Sequence, residues 1–392
     1  MPKILFLVNV DRFFLSHRLP IALSMKEKGY EVYVACDNTG YKDRILRSGL
    51  KYIETRIDGT NTNILKNLLT LKDILKIYQS QDFDIIHNVT MKPVLYGSLV
   101  GRMLGKKKIV NAISGFGHLF TEDRGRSVRG NLVKNILKGA FSYKKLRFIV
   151  QNTDDQAMLK ETFNVPSERI ILIKGSGVNL ETVQYIHPQE KKTVRVLLHA
   201  RMIYDKGVLE FYKMAKRLRQ EYGDRVECIL CGSLDPNVTA VPETVLQQWN
   251  EEGYVNWIGY SERIFEVIAE ADIIVYPSYY REGLPKSLID AAAVGRPIIT
   301  YNVTGCRDAV VEGENGFFAE TKNVDDLVRY AKKLIEDRDL RIRMGIESRK
   351  LAEVLFDINL VIRKTFELYG SFETGEMKRT AIPERLDLKK VY

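Results

Sequence analysis

The feature that most restricts the fold is an alternation that runs through the chain twice: short apolar runs of strand length, each followed by a segment with helical periodicity. Runs rich in Val, Ile and Leu, with little polar alternation, suit strands buried on both faces. The pattern therefore predicts an α/β protein with parallel sheets covered by helices on both sides. In the first half the expected strands are Lys3 to Val8, Glu31 to Cys36, Tyr52 to Thr55, Asp84 to Asn88, Lys108 to Ala112, Arg147 to Gln151 and Arg169 to Ile173. The alternation restarts at Val194 to His199 and continues through Val226 to Cys231, Tyr254 to Ile258, Asp272 to Tyr276, Pro297 to Tyr301 and Gly316 to Ala319. Helical patterns then cover Val324 to Glu336, Leu340 to Val354 and Ile358 to Tyr369. Between the halves, Lys174-Gly175-Ser176-Gly177-Val178-Asn179 reads as a flexible joint, and Tyr185 to Lys192 as a polar linker.

A chain of 392 residues suits two domains of about 150 to 200 residues each. With 45% hydrophobic and 28% charged residues it has the composition of a soluble globular protein. No apolar run approaches the roughly eighteen residues of a spanning helix, and Met1-Pro2-Lys3-Ile4 enters a strand without the features of a signal peptide, so a cytoplasmic location is expected. Cys36 and Cys306 are isolated. Cys228 and Cys231 share a strand at an odd spacing that turns them to opposite faces, and no second pair completes a zinc set. Charge is uneven: residues 1–175 hold 29 Lys and Arg against 16 Asp and Glu, a balance of +13, which leaves −3 for the remainder. The first half should face something anionic: a membrane surface, a phosphorylated acceptor or nucleic acid.

Two stretches of the second half carry chemistry. Arg281-Glu282-Gly283-Leu284-Pro285-Lys286-Ser287-Leu288-Ile289-Asp290 opens a helix of small residues that Gly295 and Pro297 stop. A helix start beside glycine offers N–H donors and a positive dipole end, and two acids beside it suit sugar or ribose hydroxyls. A solvated loop glutamate and an i, i+4 pair between Lys286 and Asp290 account for the same residues. The other stretch is Arg201-Met202-Ile203-Tyr204-Asp205-Lys206-Gly207, which follows the first strand of the second half. Two cations five positions apart at a strand end can close on one diphosphate, Arg201 as a fork and Lys206 as a point charge.

Together these stretches resemble retaining glycosyltransferases of family 4, which have the GT-B fold. In that family a Glu, seven residues and a second Glu flank a Gly-Leu-Pro turn; this sequence departs from it at Asp290, one methylene shorter. The resemblance implies two Rossmann-like domains facing across a cleft, at residues 1–178 and 179–356, with a helix over 357–372 crossing back to the first domain and a charged tail over 373–392. It implies that Glu282 orients the transferred sugar and Asp290 the ribose. Lys206 and Arg201 would hold the donor diphosphate, with Gly283, Leu284, Pro285 and Lys286 around it and Gly232, Ile258 and Gly259 on the nucleotide side. Asp82-Phe83-Asp84 matches the metal-binding Asp-x-Asp of the other large glycosyltransferase fold, but it precedes its strand and reads as structural. No cofactor and no metal are expected.

Acceptor-side candidates lie at strand ends of the first half. The turn after the first strand, Asn9-Val10-Asp11-Arg12-Phe13-Phe14, lacks Gly-x-Gly-x-x-Gly, which argues against a dinucleotide site there. The following Phe14-Leu15-Ser16-His17-Arg18-Leu19-Pro20 resembles a bacterial surface-polysaccharide subset of the family. Ser16, His17 and Arg18 suit the mouth of the strand ends or, equally, a helix start; His87 is expected at the same functional edge. In Ile113-Ser114-Gly115-Phe116-Gly117-His118, the two glycines allow close backbone approach and His118 could bond a sugar hydroxyl or pack against Phe120.

The segment Ser127 to Arg147 interleaves lysines and arginines with Leu132, Val133, Ile136, Leu137, Ala140 and Phe141. It reads as an interfacial element on anionic lipid or as a core helix with a solvated basic face. The resemblance thus leads to transfer of a sugar, best taken as an N-acetylhexosamine, from a UDP-sugar to a polyprenyl-diphosphate-linked acceptor at the inner membrane face. A family 4 enzyme with a soluble or protein acceptor, a non-catalytic GT-B partner subunit and a nucleic-acid-binding protein are the alternatives. The last lacks any zinc, helix-turn-helix or RNA-binding signature, and no nucleic-acid partner is expected.

Overall fold

The computed structural model describes residues 1–57, 64–117, 128–235 and 238–374. Among the described residues the chain divides into two compact units, Met1–Ser176 with Ile358–Thr374, and Gly177–Asp357. Each is built on one wholly parallel sheet, as the uninterrupted apolar strands require.

In unit 1 seven strands, β1 (Lys3–Val10), β2 (Glu31–Asp37), β3 (Lys51–Glu54), β4 (Ile85–Val89), β5 (Ile109–Ile113), β6 (Leu146–Val150) and β7 (Ile170–Leu172), lie in the order β3-β2-β1-β4-β5-β6-β7. In unit 2 six strands, β8 (Val194–His199), β9 (Val226–Cys231), β10 (Asn256–Trp257), β11 (Ile273–Tyr276), β12 (Ile298–Tyr301) and β13 (Gly316–Ala319), follow the order β10-β9-β8-β11-β12-β13. Both sheets reverse direction of growth beside their first strand, between β1 and β4 and between β8 and β11. Crevices outside the carboxyl ends of such strands are where open α/β sheets bind ligands.

Alternate residues feed the two faces. Leu5 and Leu7 join one core of unit 1, and Ile4, Phe6 and Val8 the other; Val196 and Leu198 oppose Leu197 in the same way in unit 2. Cys228 and Cys231 enter the two opposite cores of unit 2, and all four cysteines are buried and free. The helices follow their apolar spacing. In Val324–Glu336, Asn323 caps the first turn by accepting the Asp326 amide, while Leu327, Val328, Ala331 and Leu334 are buried at i, i+4 and i+7 intervals. The leucine and valine side chains each contribute about 1.5–3 kcal/mol on burial.

The last helix, Ile358–Thr374, belongs to unit 1, where Val361, Leu368 and Tyr369 complete the core beneath β1 and β4. Asp82 and Asp84 serve the entry edge: Asp84 accepts the Lys3 amide at 2.7 Å and Asp82 pairs with Lys106 at 3.9 Å. Two expected elements are shorter than their patterns. Of Tyr254 to Ile258 only Asn256 and Trp257 lie in strand register with β9; Gly253 turns the chain before them at φ 75°, and among the described residues no strand flanks β10 on its outer side. Ser127 to Arg147 splits into a helix, Val128–Phe141, and the start of β6 at Leu146.

Candidate active site

The loops that leave β8 and β11 are packed against each other, and glycine makes this possible. Gly207 stands in the left-handed region at φ 74°, and a Cβ there would lie 2.1 Å from the Pro277 carbonyl oxygen. Asp205 O accepts the Tyr279 amide at 3.1 Å and the Ser278 hydroxyl at 3.3 Å, tying the two loops together. This contact delivers Lys206 to Glu282.

Lys206 Nζ donates to both Glu282 oxygens at 2.6 Å and to the Tyr276 hydroxyl at 2.7 Å, so its three hydrogens are all engaged. The Tyr276 hydroxyl donates in turn to Glu282 Oε1 at 3.0 Å. Lys206 is 5% exposed and sits 5.3 and 5.4 Å from the ring centres of Tyr276 and Tyr280. Burial, reinforced by the Glu282 carboxylate, pushes the Tyr276 phenol well above its ordinary pKa, so it stays protonated and donates. Arg201 pairs with a different carboxylate: its Nη1 donates to Asp235 at 2.9 Å, and 42% of its side chain is exposed. The two cations proposed to grip one diphosphate thus each carry a carboxylate, Lys206 in the interior and Arg201 with its own side chain partly exposed.

Past Glu282, Gly283 leans on the next loop. A Cβ on Gly305, at φ 85°, would meet the Gly283 carbonyl oxygen at 1.8 Å. Leu284 is buried, Pro285 precedes the helix Lys286–Val294, and Gly295 ends it at φ 82°. Asp290 is 4% exposed and held by Lys286, the i, i+4 pair open in the sequence. His199, the last residue of β8, lies against the same helix; burial first and Lys286 second lower its pKa to about 4 against the opposing pull of Asp290, so the ring is neutral at pH 7. Its Nδ1 is buried without a partner. On the other side of β8, Gly232 has no room for a Cβ beside the Ala200 carbonyl and donates to Gly259 O at 2.8 Å; Ile258 is exposed and Gly259 turns at φ 70°.

In unit 1, Asn9 lies near the end of β1 with Oδ1 buried and unpartnered, and Gly115 and Gly117 take φ 97° and 59°. His118 lies outside the described residues. Ser16 and His17 end the helix Asp11–His17, where the Ser16 hydroxyl bonds Arg12 O at 2.9 Å and the His17 ring stacks on Phe13 at 4.0 Å. Of its two readings, Arg18 takes the helix start: it is the N-cap of the helix Leu19–Glu27, is 3% exposed and donates to His17 O at 2.9 Å, and burial lowers its pKa to about 10. One expectation needs correction. His87 is not at a functional edge. It lies within β4, stacked on Phe6 and bonded through Nδ1 to the Tyr369 hydroxyl at 2.6 Å, and burial drives its pKa well below the ordinary value. His87 thereby anchors the last helix.

Two Rossmann-like parallel sheets, each with its switch point beside its first strand, make up the GT-B fold. Residues 3–152 match the family described as Glycosyl transferase 4-like and residues 181–351 the one described as Glycosyl transferases group 1. The chain is a GT4-like glycosyltransferase with group 1 catalytic-domain architecture.

Among curated proteins it is 26% identical over 384 residues to N,N'-diacetylbacillosaminyl-diphospho-undecaprenol alpha-1,3-N-acetylgalactosaminyltransferase of Campylobacter jejuni, covering 94% of this chain and 98% of that one. It is 22% identical over 354 residues to UDP-Gal:alpha-D-GlcNAc-diphosphoundecaprenol alpha-1,3-galactosyltransferase of Escherichia coli, covering 87% and 89%. The crystal structure of Anabaena HepE in complex with UDP and glucose superposes with a TM-score of 0.73 at 15% identity, covering 95% of this chain and all of that one.

Proposed function

We propose that this protein transfers an N-acetylhexosamine from a UDP-sugar to a polyprenyl-diphosphate-linked acceptor, with retention at the anomeric carbon and without a metal. The observation that carries the reading is the Lys206–Glu282–Tyr276 cluster at the carboxyl ends of β8 and β11. The chemical difficulty in the transfer is charge on the departing diphosphate. Lys206 is fixed by two rings and a hydroxyl and meets that charge once Glu282 gives way, and Arg201 adds a second cation from the same loop. Lys206 has no spare hydrogen, so the incoming diphosphate takes the place of Glu282 on the ammonium, and the released carboxylate accepts hydroxyls of the donor sugar. Asp290 reaches the ribose after parting from Lys286. The lipid-linked acceptor is supported by the names of the Campylobacter and Escherichia relatives.

An anionic membrane surface fits the helix Val128–Phe141, which buries Leu137, Ala140 and Phe141 and leaves Leu132 60% and Ile136 41% exposed beside Lys134 and Lys138. Among the described residues no helix is long and apolar enough to cross a membrane, so attachment would be peripheral, on the inner face. The test is turnover of UDP-N-acetylhexosamines with an undecaprenyl-diphosphate-linked sugar in the presence of EDTA, with the product anomer read by NMR. Activity that is abolished by EDTA, gives the inverted anomer, or survives unchanged in both Glu282→Ala and Lys206→Ala overturns the corresponding part of the reading.

A further inference from the structure

Arg201 stands at the carboxyl edge of the unit 2 sheet with most of its donors unused. An arginine fork carries N–H groups on Nε, Nη1 and Nη2, yet among the described residues only Nη1 is bonded, to Asp235 Oδ2 at 2.9 Å. With 42% of the side chain exposed, the rest of the fork faces outward. Arg296, in the same unit, shows what an architectural arginine looks like: it is fully buried, and its Nε, Nη1 and Nη2 all donate to backbone carbonyls. Arg201 is held at a single point.

Asp235, by contrast, is firmly placed, with its side chain 8% exposed. The chain on both sides of it is laced to the loop that carries Arg201. Ahead of it, the Ala200 amide donates to Cys231 O and the Met202 amide to Ser233 O, both at 3.0 Å. After it, the Tyr204 amide donates to Thr239 O at 2.8 Å and the Val241 amide to Met202 O at 2.9 Å, while the Thr239 hydroxyl reaches Asp205 at 3.0 Å. Gly232 permits the approach, since a Cβ there would lie 1.6 Å from Ala200 O. The backbone therefore delivers the carboxylate to the guanidinium whether or not the pair itself forms.

The pair belongs electrostatically to the Lys206 cluster. Burial opposes the Arg201 charge, but Asp235 first and Glu282 next outweigh it and raise the pKa, so Arg201 feels the same carboxylate that Lys206 holds.

We propose that Asp235 is an internal competitor for the diphosphate: it takes the place of a phosphate oxygen on Arg201, gives way when the nucleotide binds, and returns as the spent nucleotide leaves; this rests on the transferase reading above. A carboxylate and a phosphate offer a guanidinium the same thing, paired anionic oxygens. Once displaced, Asp235 stays tethered beside Arg201 and competes at an effective concentration that few free anions match. The consequence has a sign. A residue that merely held Arg201 in position would strengthen diphosphate binding, whereas a competitor weakens it. Weaker holding suits a transferase, whose spent nucleotide must leave before the next donor enters.

Calorimetric titration of inorganic diphosphate and of UDP, in the presence of EDTA, separates the two roles. Asp235→Asn keeps the shape and removes the charge; Asp235→Glu keeps the charge. Asp235→Asn is expected to bind both ligands about five- to tenfold more tightly than the wild type, and Asp235→Glu to bind them as the wild type does. Uridine, which carries no phosphate, is expected to show no difference among the three proteins. Diphosphate binding that is absent in wild type and variant, or unchanged or weaker in Asp235→Asn, overturns the competitor. So does a gain that extends to uridine or appears equally in Asp235→Glu. Thermal stabilisation by UDP-N-acetylglucosamine is measured on the same wild-type sample: its absence refutes the transferase reading, while the titration of inorganic diphosphate still decides the role of Asp235.

Discussion

Lys206 and Glu282 should be energetically coupled to an extent that ordinary surface pairs are not. Lys206 is 5% exposed, and its three donors end on Glu282 and Tyr276. Glu282→Gln removes the countercharge and one accepting oxygen while keeping the shape. Breaking a buried pair costs about 3–5 kcal/mol, and because the Glu282 side chain retains 18% of its surface the lower figure applies, about 3 kcal/mol. For a unit of this size that corresponds to a fall in Tm of roughly 6–12 °C. Lys206→Met alone strands the carboxylate at similar cost. The double variant removes both charges and should recover about 2 kcal/mol of the summed loss. Urea unfolding followed by tryptophan fluorescence isolates the effect, because the two tryptophans, Trp249 and Trp257, both lie in unit 2. Effects of the two substitutions that add to within about 0.5 kcal/mol would refute the coupling, and with it the idea that the diphosphate must displace Glu282 from a preformed pair.

Other expectations follow from single contacts. Gly305→Ala forces a Cβ onto the Gly283 carbonyl at φ 85° and should cost about 2–4 kcal/mol by urea unfolding, with donor stabilisation lost; a neutral result would show that this loop yields. His199 is neutral when folded, with a pKa near 4, and takes up a proton more readily when unfolded. Its contribution is therefore intact above pH 6.5 and is lost as pH falls towards 4, by up to about 3 kcal/mol. His199→Gln should flatten the Tm profile across that window, and parallel profiles would argue against it. Tyr369→Phe removes the only hydroxyl bonded to His87 Nδ1 among the described residues and should destabilise unit 1 by about 1–2 kcal/mol, read as faster hydrogen exchange in β4.

The fold was legible because buried parallel strands announce themselves as apolar runs, and all thirteen expected strands have counterparts in the two sheets. At the site, Lys206 and Glu282 stood out through glycines and charges that a plain core would not carry. Tyr276, which bonds both, did not: as the last residue of an apolar run it reads as core, and only the packing of two loops reveals its hydroxyl as part of the cluster. Asp235 and His199 were hidden for a similar reason, since what faces Arg201 and Asp290 depends on neighbouring loops far apart in sequence. His87 misled because polarity near a strand end looks functional until the last helix covers it. Arg296 shows the same limit: it is fully buried and donates to the carbonyls of Ile186, Ile268 and Ala269, a purely architectural use of a cation.

The return of Ile358–Thr374 to unit 1 has a consequence for how the protein is made. A ribosome delivers all seven strands of the first sheet before any residue of the second, yet the helix that supplies Val361, Leu368 and Tyr369 to that first core emerges only after the whole second unit. During synthesis the nascent first unit must therefore wait, with an apolar flank uncovered and His87 lacking its phenol, until roughly the last tenth of the chain appears. Its maturation is gated by completion of unit 2, so a chain cut short between residues 176 and 358 carries an unfinished unit 1 rather than a stable half.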